Sequence, residues 1–158
     1  MSTRSVGWEV RGSLSASTEK MGPMTDDDDP TSPGPFSTSL GFELVERSEE
    51  RVVMEATPGP EHANGGGILH GGYLASLLDS TTGWAVHSAL PPGRPAPHTH
   101  LSVQYLRAGL PGTKLVCVGR CVRAGRTVAA AEAEITQNGK IVARAVSSHA
   151  VIGAANDD

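Results

Sequence analysis

The chain is poor in cysteine, poor in aromatics and free of long apolar runs. Cys117 and Cys121 are its only cysteines in 158 residues. That excludes a disulfide-stapled scaffold and leaves a zinc site short of ligands, since no His pair sits at ligand spacing beside them. Four apart, they would point the same way from one strand face, poor geometry for a disulfide, and they read as small buried or half-buried residues. Aromatic residues make up only 4% and the net charge is −4, so a nucleic-acid surface of bases interleaved with aromatics is excluded. No apolar stretch approaches the ~20 residues of a membrane helix. The opening MSTRSVGWEVRGSL lacks the apolar stretch of a secretory signal, so a cytoplasmic location away from membranes is expected.

The chain length suits one domain with a sizeable core. Charge is unevenly placed: residues 1–35 hold six acids and three bases, whereas residues 94–158 hold eight bases and four acids. Residues 1–35 are rich in Ser, Thr, Gly, Pro and Asp and end in DDDDPTSPGP. Such a segment buries too little apolar surface to offset chain entropy and is expected to be a disordered extension, with Trp8 its one residue fit to dock. Met21 and Met24 are alternative starts. The ordered domain is expected over 36–153, followed by a tail at 154–158.

Leu40–Glu46 and Arg51–Ala56 alternate apolar with polar residues around a polar turn, which predicts a β-hairpin. A loop from Pro58 to Leu69 carries Gly65-Gly66-Gly67. From Gly71 to about Leu90 the period becomes helical: Leu74, Leu77, Leu78, Thr81, Ala85 and Ala89 form one stripe. Pro91-Pro92-Gly93 ends it. Four strand-like segments follow, over 98–107, 114–123, 127–137 and 140–152, the last two joined by the hairpin signal Asn138-Gly139. The expected class is α+β, an antiparallel sheet of about six strands with one long central helix, in the order ββ-α-ββββ.

The chemistry concentrates in His62-x-Asn64-x-x-Gly67-x-x-His70-Gly71-Gly72, followed by Asp79. A side-chain amide can hold a carbonyl or a water, a Gly-Gly step opens a helix whose free N–H groups can face an oxyanion, and a lone carboxylate interrupts an otherwise apolar helix. Gly72 and Asp79 share a helix face but lie ~10.5 Å apart along the axis. A reacting carbonyl must lie ~3 Å from both nucleophile and oxyanion donors. One helix cannot provide both. Two helices packed antiparallel across a two-fold axis can, so the spacing predicts a homodimer with two shared sites.

These residues, with Leu77-Leu78-Asp79 and Val103-Gln104-Tyr105-Leu106-Arg107, resemble the hotdog-fold acyl-CoA thioesterases of the phenylacetic-acid-pathway (PaaI-like) type, nearest the branch acting on aryl- and arylacetyl-CoA. The resemblance runs from about Leu40 to Ile152. It implies a sheet wrapped around the helix and hydrolysis of aryl, arylacetyl or medium-chain acyl-CoA. It also implies Asp79 as general base or attacking carboxylate, and the Gly71 N–H, with Gly72 and the helix dipole behind it, polarising the thioester carbonyl. Asn64 would hold the water or carbonyl, and His70 would brace the loop or approach the thioester. Where the family often has a hydroxyl residue to orient the water, this chain has His98, with Thr99 beside it. No metal or redox cofactor is implied, and coenzyme A enters as part of the substrate. Arg107, Arg123 and Arg126 are candidates for its phosphates, although Arg on strand edges also guards against aggregation. Dimers that pair into tetramers fit the family.

Each of these residues also has a plainer role open to it. His70 fits as a helix cap, His62 as loop scaffolding and His87 as a partner of the helix dipole. His98 and His100 alternate with Leu101 and are expected on the face opposite to it. His149 is expected at a surface or interface. Tyr73, Trp84, Tyr105 and Leu110 are possible pocket linings. Two rival functions compete with hydrolysis: a binding module that holds acyl-CoA or an aromatic ligand unchanged, and a hydratase, which would want a His–Asp pair near the helix start.

Overall fold

A computed structural model describes residues 32–153. A five-residue helix α1 (Pro35–Ser39) leads into β1 (Phe42–Arg47) and β2 (Val52–Ala56). A single 3-10 turn (Pro60–His62) then precedes the 19-residue helix α2 (Gly71–Ala89). Four strands complete the order: β3 (His98–Tyr105), β4 (Leu115–Ala124), β5 (Val128–Gln137) and β6 (Lys140–Ala150). They form one sheet in the order β1-β2-β4-β5-β6-β3, with every pairing antiparallel. No helix among the described residues is long and apolar enough to cross a membrane.

The ββ-α-ββββ reading therefore holds, with α1 added ahead of it. Leu40 caps α1 instead of starting a strand, and Gly41, at φ 71°, turns the chain into β1. The left-handed region it occupies favours glycine. Asn138 and Gly139 take φ 51° and 70°, as a tight β5–β6 hairpin requires. The expected N-terminal extension, apart from its last four residues, and the 154–158 tail lie outside the described residues.

α2 lies across the sheet with Leu74, Leu77, Leu78, Thr81, Ala85 and Val86 buried. Beneath it the sheet presents Val52, Met54, Leu115, Cys117 and a field of small side chains, Ala129, Ala131, Ala133, Ala143 and Ala145. The small residues let the helix settle close. At Gly119 a Cβ would stand 2.8 Å from Thr81 Cγ2 and 3.1 Å from Thr81 O, so this glycine is required by packing. Cys117 is fully buried, and burial pushes its thiol up to about 12. Cys121 packs at the core margin on the same sheet face.

Candidate active site

The helix start is built by the loop that precedes it. His62 Nδ1 accepts from Gly59 N–H at 3.0 Å and its ring packs 4.3 Å from that of Tyr73. His62 is thus scaffolding. Asn64 N–H donates to Ile68 O and Gly67 N–H to Asn64 O, closing a tight turn with Gly67 at φ 76°. Asn64 Oδ1 accepts from Gly66 N–H at 2.8 Å. Its oxygen is thereby engaged within the loop, and its NH2 is the end left to meet a ligand.

His70 is the N-cap of α2, its Nδ1 accepting from Gly72 N–H at 2.9 Å. That bond separates the two glycines chemically. The Gly72 donor is occupied, whereas the Gly71 N–H has no acceptor among the described residues and points with the helix dipole toward the groove. Of the pair expected to face an oxyanion, Gly71 is the one positioned to do so. On its other side the Tyr105 hydroxyl donates to Gly71 O at 3.0 Å. A groove of about 380 Å³ opens here, lined among others by Asn64, Gly71, Leu74, Tyr105 and Arg107. Arg107 anchors one guanidinium N–H on Ile141 O at 2.9 Å.

Asp79 lies two turns further along α2, its side chain 51% exposed. Its ionisable neighbour is His98, whose Nδ1 stands 3.5 Å from Asp79 Oδ1. His98 Nε2 is 3.0 Å from Thr82 Oγ1, and its ring lies 3.9 Å from that of His149, tilted 45° to it. This corrects two expectations. His98 and His100 do not share a face: Thr99 is an extra residue between the His98–His149 and His100–Ser148 pairs, so the bulge reverses the alternation. His98 and Leu101 turn toward the core and His100 faces outward. His149 is not at a surface but fully buried, bonded to Ala96 O at 3.0 Å and to Ser147 Oγ at 2.9 Å. Burial holds both imidazoles below their ordinary range, with Asp79 opposing the fall in each.

The His–Asp pair that a hydratase would want thus exists, but at mid-helix, away from the Gly71 groove. Near the far end of α2, His87 packs edge-on against Trp84, which also carries the Arg47 guanidinium 4.8 Å above its ring. Burial, then Arg47, lowers the His87 pKa. Arg123 and Arg126 share a smaller hollow at the β4–β5 turn. Arg107 follows Tyr105, which pairs with Ala143, while Val128 of that turn pairs with Ala150. The seven residue steps along β6 from Ala143 to Ala150 span ~23 Å. Within one protomer the three arginines therefore form two separate patches, one by Gly71 and one at the opposite strand ends.

Comparison with known proteins agrees with this architecture. Residues 66–143 match the thioesterase superfamily model. Acyl-coenzyme A thioesterase 13 of Mus musculus is 28% identical over 103 residues, covering 64% of this chain and 73% of its own. A Streptococcus mutans protein solved bound to acetyl CoA superposes with a TM-score of 0.66 at 30% identity, over 71% of this chain and 89% of its own. The PaaI protein of the Escherichia coli phenylacetic acid degradation operon does so with a TM-score of 0.69 at 25% identity, over 75% and 84%. The chain belongs to the thioesterase superfamily and has its hotdog fold. It is a thioester hydrolase.

Proposed function

We propose that this enzyme hydrolyses acyl-CoA thioesters to free acid and coenzyme A, in sites shared between two copies of the chain. The observation that carries this reading is the division of labour along α2. The Gly71 donor, unoccupied among the described residues, and the half-exposed carboxylate of Asp79 are eight residues apart, ~12 Å along the axis, too far to act on one carbonyl. A two-fold partner with its helix antiparallel sets each Gly71 beside the other protomer's Asp79. Asp79 then takes a proton from water, or attacks directly, while the Gly71 N–H receives the developing oxyanion. The same operation brings the Arg123 and Arg126 end of one protomer toward the Arg107 end of the other, so one phosphate-bearing substrate meets both basic patches. The acetyl-CoA-bound relative and the acyl-coenzyme A thioesterase relative support the substrate class. The PaaI relative supports trying aryl and arylacetyl esters beside medium-chain ones. The chemistry asks for no metal or redox cofactor, and we place the enzyme in the cytoplasm, where such esters occur. Paired dimers are the assembly we expect.

Free-thiol release from a panel of aryl-, arylacetyl- and medium-chain acyl-CoA esters tests the activity. Sharing is tested by mixing two inactive variants, Asp79→Asn and Gly71→Pro. A mixed dimer rebuilds one intact site from the two unaltered halves, so activity returns on subunit exchange. No recovery from exchanged subunits means that each site lies within a single chain.

A further inference from the structure

Thr82 Oγ1, the His98 ring and Asp79 Oδ1 stand in line, with separations of 3.0 and 3.5 Å. Hydroxyl, imidazole and carboxylate in that order are the connectivity of a nucleophilic triad. Here the hydroxyl cannot be the nucleophile. Thr82 is fully buried, and its oxygen lies 2.9 Å from Leu78 O and 3.1 Å from Asp79 O in the helix backbone. The solvent-facing end of the line is the carboxylate. We propose that His98 is a positioning residue for Asp79: its ring, tethered at Nε2 by Thr82, donates Nδ1–H to one carboxylate oxygen and leaves the other free to take a proton from water. This rests on the thioesterase reading above and assigns a function to the residue that stands where the family often has a hydroxyl.

The assignment follows from what each ring nitrogen faces. His149 Nδ1 meets the Ala96 carbonyl, which only accepts, so that nitrogen carries the hydrogen, and Nε2 accepts from the Ser147 hydroxyl. His149 is thereby complete as a neutral ring. A charged His98 against it at 3.9 Å has lost much of its hydration, and burial and His149 both disfavour that charge while Asp79 favours it. A neutral His98 must turn its N–H toward Asp79, because a bare Nδ1 would oppose the carboxylate lone pairs. The single Thr82 proton, which otherwise goes to Leu78 O at 2.9 Å or Asp79 O at 3.1 Å, then turns to Nε2, and those two carbonyls keep their helical N–H partners. Asp79 and Thr82 on α2 and His149 on β6 are the groups that face the ring. The 3.5 Å separation is at the long end for a hydrogen bond, as unliganded catalytic contacts commonly are before substrate tightens them.

The test is kcat and KM for the full chain, wild type, His98→Ala and His98→Asn, on the ester hydrolysed best. In His98→Ala, kcat is expected to fall on the order of 10- to 100-fold with little change in KM. His98→Asn, whose amide can still donate, should recover most of kcat. An unchanged kcat in His98→Ala overturns the proposal. So does a fall in kcat with no recovery in His98→Asn, which marks a packing role. Ring 15N NMR reads the same contact without turnover: Asp79→Asn should lower the His98 titration midpoint further, and an unmoved midpoint overturns the proposal however fast hydrolysis is. If no ester is hydrolysed but the midpoint moves, the positioning contact is supported and the thioesterase reading alone falls.

Discussion

The two halves of the proposed active site on α2 are held in opposite ways. At the Gly71 end the working group is a backbone N–H, and what places it is nearly contiguous: the 3-10 turn at Pro60–His62, the Asn64–Gly67 turn and the His70 cap. At the Asp79 end the proposed base is a side chain, met by residues far away in sequence, His98 on β3 and, beneath it, His149 on β6. An amide donor inherits its direction from the helix, so local structure is enough. A carboxylate on a rotatable stem needs a second element to hold it. The oxyanion half is thus a property of one segment, and the base half is a property of the packed fold.

That contrast can be broken most sharply at the base. Asp79→Asn is expected to lower kcat by about 10²- to 10⁴-fold, read by free-thiol release, since the proposed base or nucleophile is lost while the shape is kept. Gly71→Pro attacks the other half and should lower kcat by about 10²- to 10³-fold by deleting one donor. The position is the first of the helix, whose backbone suits proline, and His70 already has the extended backbone (φ −63°, ψ 135°) that a following proline demands; a Cβ there stands 3.3 Å from Tyr105 Cζ, and that exposed ring has room to give by the few tenths of an ångström required. Intact turnover with a folded Gly71→Pro protein would remove the oxyanion role.

A smaller effect separates scaffold from chemistry. His70→Ala should cost about 1 kcal/mol in denaturant unfolding through loss of the cap. It also frees the Gly72 N–H, so a rise in KM or a changed ester preference would reveal a second donor entering the groove. The weakest effect is global. His98 and His149 have folded pKa values below the ordinary imidazole value of 6.5, so the unfolded chain binds their protons more readily. Their contribution is present above about pH 6.5 and is lost as pH falls. The urea midpoint should therefore drop between about pH 7 and pH 5, and drop less steeply in His149→Gln.

Much of this was legible before the structure. The helical stripe from Leu74 to Ala85, the stop at Pro91-Pro92-Gly93 and the Asn138-Gly139 hairpin all rest on periodicities or backbone angles that neighbouring residues impose. α1 was not legible because five residues are too few to show a period. It is held instead by tertiary contacts, with Ser37 buried and its Oγ 2.8 Å from Ser80 Oγ. The pairing of His98 with Asp79 was hidden for another reason. Strict alternation along β3 sends His98 to the outer face, and only the pairing with β6 reveals Thr99 as an inserted residue. His149 was misplaced because a histidine in a strand looks like a surface residue until Ser147 and the Ala96 carbonyl are seen to satisfy both nitrogens.

By itself the amino-acid order determined the succession of elements, the glycine opening of α2 and the carboxylate eight residues inside it, since each follows from bonds between near neighbours. Only the folded arrangement decided that the arginines fall at opposite ends of the sheet and which histidine meets Asp79. Those outcomes turn on a one-residue bulge and on side-chain directions, which depend on how strands distant in the chain align.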